Sequence, residues 1–107
     1  MNINSTKPVK NITKTYYKSL IKGKEIILSP HALDHLSSRQ RKIFNKEDLI
    51  QMIKKDNPIR IYLQENNRYR VYYRRSDGFR NVILSIFNQR VTIVSFMNIR
   101  NIPKYEL

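Results

Sequence analysis

The sequence predicts an α+β domain in which N-terminal helices pack on one face of a four-stranded antiparallel β-meander. Three observations support this fold class. Apolar residues recur at helical spacing in the first half of the chain. From Ile59 onward the apolar period changes to two, which is typical of strands. The segments between these later strands are short, which favours antiparallel neighbours.

Length and composition favour a single domain, because 107 residues are typical of one hydrophobic core. We expect a loose N-terminal arm over residues 1–11, the domain over residues 12–100 and an irregular tail over residues 101–107. The absence of cysteine excludes disulfides, thiolate catalysis and Cys-type zinc sites. No apolar run approaches the roughly 20 residues of a membrane span, and the polar N-terminus lacks a secretory signal. We therefore predict a soluble cytoplasmic protein with no membrane partner.

The first predicted elements are short. Residues 13–21 (TKTYYKSLI) place four apolar side chains at helical spacing, and Gly23 would end this helix. Residues 25–28 (EIIL) predict either a short strand or a lead-in to the next helix.

Two N-cap signals predict two further helices. Ser29-Pro30 supplies an N-cap followed by proline at the first helical position, and predicts a helix over residues 30–42. Asn45, with Asp48 three residues later, resembles a capping box and predicts a helix that continues to about Lys55.

Four strands are predicted in the second half of the chain. The turns between them are short, at residues 65–67, 76–78 and 88–89. The third strand has the most continuous apolar run, VILSIF, as expected of an inner strand. The predicted strands are residues 59–63, 68–74, 79–87 and 90–97.

The strong positive charge predicts a polyanionic partner. The chain has 21 Lys and Arg against 8 Asp and Glu, which gives a formal net charge of +13. Self-repulsion at this charge costs stability, and RNA or DNA is the commonest partner that offsets it through counterion release. A solubilising surface without a specific partner is the alternative.

The two histidines of the chain form the first candidate site. His31, His35 and Arg39 follow at i, i+4 and i+8, which places them on one stripe of the predicted helix. A paired base and acid near neutral pH is what in-line RNA cleavage requires. Two ordinary surface histidines are the alternative. A metal pair is a third interpretation, but it needs another ligand and no HExxH pattern is present.

The strand RYRVYYRR forms the second candidate site. Strand alternation places Arg68, Arg70, Tyr72 and Arg74 on one face, and the intervening residues towards the core. Arginine binds phosphate in a bidentate manner, and a tyrosine among arginines suits base stacking. A solvated outer sheet face is the alternative interpretation.

The register of the strands decides which hydroxyl joins this arginine face. A three-residue turn at Ser76-Asp77-Gly78 places Ser95 in line with Tyr72, whereas a two-residue turn at Asp77-Gly78 places Thr92 in line with Arg70. The sequence does not choose between the two. The residues expected to contact nucleic acid are Arg39, Arg68, Arg70, Tyr72, Arg74 and, with the three-residue turn, Arg80.

Residues 29–53, SPHALDHLSSRQRKIFNKEDLIQMI, resemble the opening helices of small RelE-like and BrnT-like toxin domains. In those domains a helix of the form HALERMRERG leads into a short acidic helix and then a meander that ends in a Thr/Ser-aromatic pair. His31 matches the leading histidine, Arg39 the later arginine and Ser95-Phe96 the terminal pair. His35 departs from the pattern, because it stands where the family usually has arginine.

The resemblance covers about residues 28–99 and implies the fold shared by barnase-type, colicin-type and RelE-type ribonucleases. It implies a metal-independent endoribonuclease that needs no cofactor and acts on RNA, including messenger RNA on the ribosome. An acidic antitoxin would cover the basic face. The catalytic residues would be His31, as base or acid, with His35, the phosphate ligands Arg70 and Arg74, and Ser95.

Two other function classes remain open. One is a non-enzymatic basic module that binds DNA or RNA and does not depend on His31. The other is an accessory protein that kept the fold and lost the chemistry. Convergence of the histidines on the arginine face would favour the enzyme, whereas their placement on the opposite side from Arg70 would favour binding alone.

Overall fold

A six-stranded mixed sheet forms the body of the protein, and three short helices accompany it. The computed structural model describes residues 6–107. The elements in chain order are β1 (Pro8–Asn11), α1 (Lys14–Ile21), β2 (Glu25–Leu28), α2 (Ser38–Ile43), α3 (Lys46–Lys55), β3 (Arg60–Gln64), β4 (Tyr69–Arg75), β5 (Gly78–Phe87) and β6 (Arg90–Ile99).

The strands lie in the order β1-β3-β4-β5-β6-β2. Strands β3 to β6 pair antiparallel with their sequence neighbours, and β1 adds antiparallel to the outer side of β3. Strand β2 pairs parallel with β6, with Glu25 opposite Arg90 and Leu28 opposite Ile93. A parallel pair needs a long crossover connection, and here most of the domain lies between the two strands.

The predicted fold of N-terminal helices on a four-stranded antiparallel meander is wrong. The sheet has six strands and one parallel pairing, and strand is the main secondary structure. Residues 8–11, expected in a loose arm, form the edge strand β1, whereas residues 1–5 of that arm lie outside the described residues. Strands β1 and β2 have four residues each, too few to show a period, and both pair with segments distant in sequence.

Side-chain caps begin α1 and α3. The Thr13 hydroxyl accepts a hydrogen bond from the Tyr16 amide, and the Asn45 side chain accepts from the amides of Glu47 and Asp48. The negative charges of Glu47 and Asp48 are also stabilised by the positive, N-terminal end of the α3 dipole. The predicted helix start at Asn45 is therefore confirmed.

The helix predicted over residues 30–42 is largely wrong, because residues 30–36 form turns and α2 begins at Ser38. The Ser29 amide donates to the Ile93 carbonyl, which fixes the start of this segment to β6. Within this segment, isolated backbone hydrogen bonds between residues three apart take the place of the continuous hydrogen bonds of an α-helix. Ser37 is the true N-cap, because it forms a reciprocal capping box with Gln40.

The core lies between the helices and one face of the sheet. Tyr17 and Ile53 are fully buried on α1 and α3, and the Tyr17 hydroxyl is hydrogen-bonded to the buried Tyr73 hydroxyl at 2.8 Å. The helix face of the sheet contributes Val71, Tyr73, Val82, Leu84, Ile93 and Phe96 to this core.

Strand alternation turns the remaining side chains to the other face, which we call the open face; it carries Arg70, Tyr72, Ile83 and Thr92. Residues 101–107 contain no helix or strand. The Tyr105 ring of this tail lies 5.1 Å from the Tyr62 ring, centroid to centroid, and its hydroxyl accepts a bond from Arg70. The tail therefore covers the β3–β4 part of the open face.

Candidate nucleic-acid interface

The predicted stripe of His31, His35 and Arg39 does not lie on one helix. Both histidines belong to the turns of residues 30–36, whereas Arg39 lies on α2. The His31 side chain is 83% exposed, and its Nδ1 lies 3.5 Å from a carboxylate oxygen of Asp34. His35 and Arg39 are also exposed. The arrangement is that of surface side chains rather than of an enclosed acid–base pair.

The histidines lie on the opposite side of the sheet from the arginine face. Ala32, between them in sequence, is fully buried in the core together with Val71 and Tyr73 of β4. Arg70 alternates with these two β4 residues and so belongs to the open face. The segment that carries the histidines therefore packs against the helix face, with the sheet between it and Arg70.

Arg70 is held by the protein itself. Its Nε donates to the Gln64 side chain at 2.9 Å, and its two terminal nitrogens donate to the Tyr105 hydroxyl and the Thr6 carbonyl. Tyr72, beside it on the open face, is only 1% exposed. Burial raises the pKa of Tyr72 to about 12, even though the nearby Arg70 lowers it. Arg70 and Tyr72, both predicted to contact nucleic acid, are therefore occupied by contacts within the protein.

The other arginines of β4 are more accessible. Arg74 is exposed, and its guanidinium lies 5.3 Å from the centroid of the Phe79 ring. Arg68 is exposed just before β4. The predicted arginine face is thus divided between a covered part around Arg70 and exposed residues at both ends of the strand.

The observed register matches neither predicted alternative. Arg75 pairs with Gly78, so the turn is Ser76-Asp77, one residue earlier than the predicted two-residue turn, and Arg70 aligns with Ile83 and then Ser95. A bulge between Ile83 and Leu84 places Thr92 as well as Ser95 on the open face. Ser95 and Thr92, the two alternatives for the hydroxyl of the site, therefore both lie on the open face with Arg70.

Arg80 lies on the helix face, not beside Arg74 as one predicted register required. It pairs with Tyr73, and its guanidinium lies 5.4 Å from the Phe96 ring centroid and donates to Asn98. Burial, together with repulsion from Arg75, lowers the pKa of Arg80. The two-residue turn shifts the register by one residue and so reverses the face of Arg80.

A groove lined by four lysines is the site that sequence reasoning missed. It encloses about 540 Å³ between the end of α1, the following turn and the end of α3. Its walls contain Lys18, Lys22, Lys24 and Lys54 above Ile21 and Ile26, and we call it the lysine groove. Lys14, Lys18 and Lys22 repeat every four residues, and this pattern was the available signal.

The lysine groove is cationic, and no carboxylate of the described residues contacts its amines. In the part of the chain that the structure describes, none of its four amines lies within 4 Å of a carboxylate. Lys18 Nζ donates to the Asp56 carbonyl, and Lys24 Nζ donates to the Leu20 carbonyl. These bonds hold two amines at helix ends, and Lys22 and Lys54 remain exposed.

The described residues offer no metal centre of three or more His, Cys, Asp or Glu side chains. No helix within residues 6–107 has the length and apolar character needed to cross a membrane.

The fold and the site define a small basic protein with a mixed sheet, a groove lined by four lysines and two exposed histidines. The chain belongs to the MJ0788 family, whose model matches residues 10–84. The match spans the end of β1 to most of β5 and includes every residue of the lysine groove. No curated protein and no solved structure matches the chain. The resemblance to RelE-like and BrnT-like toxins stays a prediction.

Proposed function

We propose that this protein is a non-enzymatic module that binds nucleic acid in the cytoplasm, and that the lysine groove holds the phosphates. The observation that carries this proposal is the convergence of four lysines in one groove with no carboxylate within 4 Å among the described residues. Lysines that converge without acidic partners repel one another, and a bound polyanion removes this repulsion.

The charge elsewhere supports the same function. Among the arginines of residues 6–107, only Arg41 and Arg90 lie within 4 Å of a carboxylate. Phosphate contacts by such cations release counterions, which favours association with any sequence. Backbone contacts of this kind position a nucleic acid but carry no sequence information.

Binding without cleavage accounts for the geometry better than the endoribonuclease does. In-line cleavage needs a base and an acid on either side of a phosphate that cations hold. His31 and His35 are exposed and lie across the sheet from Arg70, whose donors are engaged by Gln64, Tyr105 and Thr6. The endoribonuclease, its ribosomal substrate and its antitoxin stay predictions.

Removal of two groove lysines tests the proposed interface. We expect the double variant Lys22→Ala, Lys54→Ala to reduce the slope of log affinity against log salt by roughly 1–2 units, because two phosphate contacts are lost. The measurement is fluorescence anisotropy of a labelled oligonucleotide between roughly 50 and 200 mM salt. Neither substitution removes a backbone hydrogen bond, since Lys18 and Lys24 make those.

The matched control is Lys14→Ala, Lys46→Ala, which removes the same charge from the opposite ends of the same two helices. This control should leave the salt slope close to that of the wild type. Equal slopes for the two double variants would contradict the groove as the interface. Absence of salt-dependent binding by the wild type would contradict the function.

A cleavage assay separates binding from catalysis. We expect RNA to stay intact with the wild type in EDTA, both as naked RNA and in a translating extract, because no acid–base pair faces the arginines. His31→Ala should behave like the wild type in both settings. Cleavage that survives EDTA and disappears in His31→Ala would establish the endoribonuclease instead.

A further inference from the structure

An exposed aromatic ring stands at the end of the β5–β6 hairpin. Phe87 is 74% exposed. A phenylalanine left in water forgoes the hydrophobic stabilisation that burial would give, and an exposed ring offers a flat surface for stacking. The position lies at a hairpin end, so the ring is accessible to a ligand.

Phe87 belongs to a concavity of about 750 Å³, which we call the hairpin concavity. Asn88, Gln89, Arg90 and Glu25 also line it. Arg90 Nε lies 3.4 Å from a Glu25 carboxylate oxygen, so these charges offset each other. A neutral site with an aromatic face and two amides, which can both donate and accept hydrogen bonds, suits a nucleobase rather than a phosphate.

The hairpin concavity and the lysine groove meet at Gly23, which lines both. Gly23 has a φ of +73°, and a Cβ placed on it would meet no atom within 4 Å, so no neighbouring atom crowds the surface at this shared residue. The Glu25 amide donates to the Gln89 carbonyl, which fixes the turn after α1 against the hairpin. Phosphate-binding and base-stacking surfaces are therefore contiguous around one end of the sheet.

We infer that the nucleic acid bound by this protein is single-stranded, and that one of its bases stacks on Phe87 while its phosphates occupy the lysine groove. The inference rests on the proposed function and adds the class of ligand. Single-strand sites combine a cationic groove with aromatic side chains on which bases stack, and both parts are present here.

The geometry disfavours a duplex. A ligand that occupied both sites would run from Lys54 and Ile26 on the helix side, past Gly23, to Phe87 on the hairpin, and would have to bend there. A duplex is stiff over roughly 150 base pairs and keeps its base faces stacked inside, so it can neither follow this corner nor reach the ring. A single strand bends freely and exposes its bases.

The test compares single strands and duplexes of the same length, as RNA and as DNA, by anisotropy. Phe87→Ala should weaken binding of a single strand roughly 10-fold, because one base loses its stacking partner, and should change duplex binding less than about twofold. Ile43→Ala is the control, since it truncates another large apolar side chain that is 81% exposed and lies outside both sites. The RNA and DNA strands show which sugar is preferred.

A second variant gives a direct readout. The chain contains no tryptophan, so Phe87→Trp introduces a single indole that reports only on this position. Its affinity for a single strand should be retained and its fluorescence quenched on binding, whereas the duplex should leave the fluorescence unchanged.

Several results would overturn the inference. Unchanged single-strand affinity in Phe87→Ala, an unquenched Phe87→Trp, or tighter binding of the duplex would refute base stacking while the salt-dependent binding through the lysine groove stands. Failure of the wild type to bind any of the four nucleic acids would overturn the inference and the proposed function together.

Discussion

Gly78→Ala is expected to lower the free energy of unfolding by about 3 kcal/mol, through backbone strain and a steric clash. Gly78 begins β5 with a φ of +148°, a conformation that other residues rarely adopt. A Cβ at this position would lie 2.5 Å from the Ile99 carbonyl oxygen and 3.4 Å from the Arg100 Cα. Both contacts are with backbone, so no side-chain rotation can relieve them.

Gly23→Ala is the matched control for this prediction. Gly23 also has a positive φ, +73°, but a Cβ there meets no atom within 4 Å. We expect it to cost about 1 kcal/mol, from backbone conformation alone. Urea denaturation of the two variants gives both values. Equal losses would show that the approach of β6 to Gly78 is not what excludes a side chain.

Alkaline pH is expected to destabilise the protein steeply, because buried tyrosines resist ionisation. Burial raises the pKa of Tyr17 to about 12, although its hydrogen bond to Tyr73 lowers it. Burial, followed by repulsion from Tyr17, raises the pKa of Tyr73 further. In the unfolded chain both phenols ionise near pH 10. Above that pH the folded state therefore binds more protons than the unfolded state, and stability falls as pH rises.

The contribution of these two protonated phenols to the free energy of unfolding is fully present below pH 10. It is lost as the pH rises toward the pKa values of the folded state. Tyr17 and Tyr73 together contribute about 2.7 kcal/mol per pH unit to the slope above pH 10. Tyr72, whose pKa burial also raises to about 12, adds to the slope of the wild type. Urea denaturation across pH 8–11 measures this slope, roughly the range over which phenols begin to ionise. The double variant Tyr17→Phe, Tyr73→Phe should reduce the slope by the contribution of these two residues and leave that of Tyr72. It removes both hydroxyls together, so that neither is left unpaired.

Tyr16→Phe is the control, because it removes a half-exposed phenol from the same helix. It should change the slope less than the double variant does, because it leaves Tyr17 and Tyr73 in place and affects only the Tyr69 pKa, which burial and then the nearby Tyr16 raise. A double variant with the wild-type slope would show that the alkaline loss arises elsewhere in the molecule.

The central strands could be predicted because each is long enough to show its period. Strands β3 to β6 contain five to ten residues each, with short turns that fix antiparallel neighbours. The four-residue strands β1 and β2 lack this signal, and their partners are set by tertiary packing. The sheet order and the parallel pairing therefore could not be derived from local pattern.

The helix expected at Ser29-Pro30 failed for a related reason. The local signal for an N-cap was present, but the Ser29 amide pairs with the Ile93 carbonyl and holds the segment to β6. A tertiary bond thus outweighed a local preference, and the stronger capping box at Ser37 began the helix instead. The stripe of histidines depended on the lost helix, so it disappeared with it.

The candidate site was only partly accessible from sequence. The positive charge predicted a polyanionic partner, and this stays a prediction that the lysine groove supports. The groove itself joins Lys18, Lys22 and Lys24 to Lys54, which is brought near them only by the packing of α3. Hydrogen bonds to Gln64, Tyr105 and Thr6, none of them adjacent in sequence, engage Arg70.

The parallel pairing of β2 with β6 has a consequence for the folding kinetics. Hairpins β3–β4, β4–β5 and β5–β6 join neighbouring segments and can form early, whereas Glu25 meets Arg90 only after nearly all of the chain between them is ordered. Closing so large a loop costs entropy before any contact repays it. The last strand to dock would then be β2, and with it the turn at Gly23 that joins the lysine groove to the hairpin concavity. The complete binding surface would thus appear only at the final step of folding.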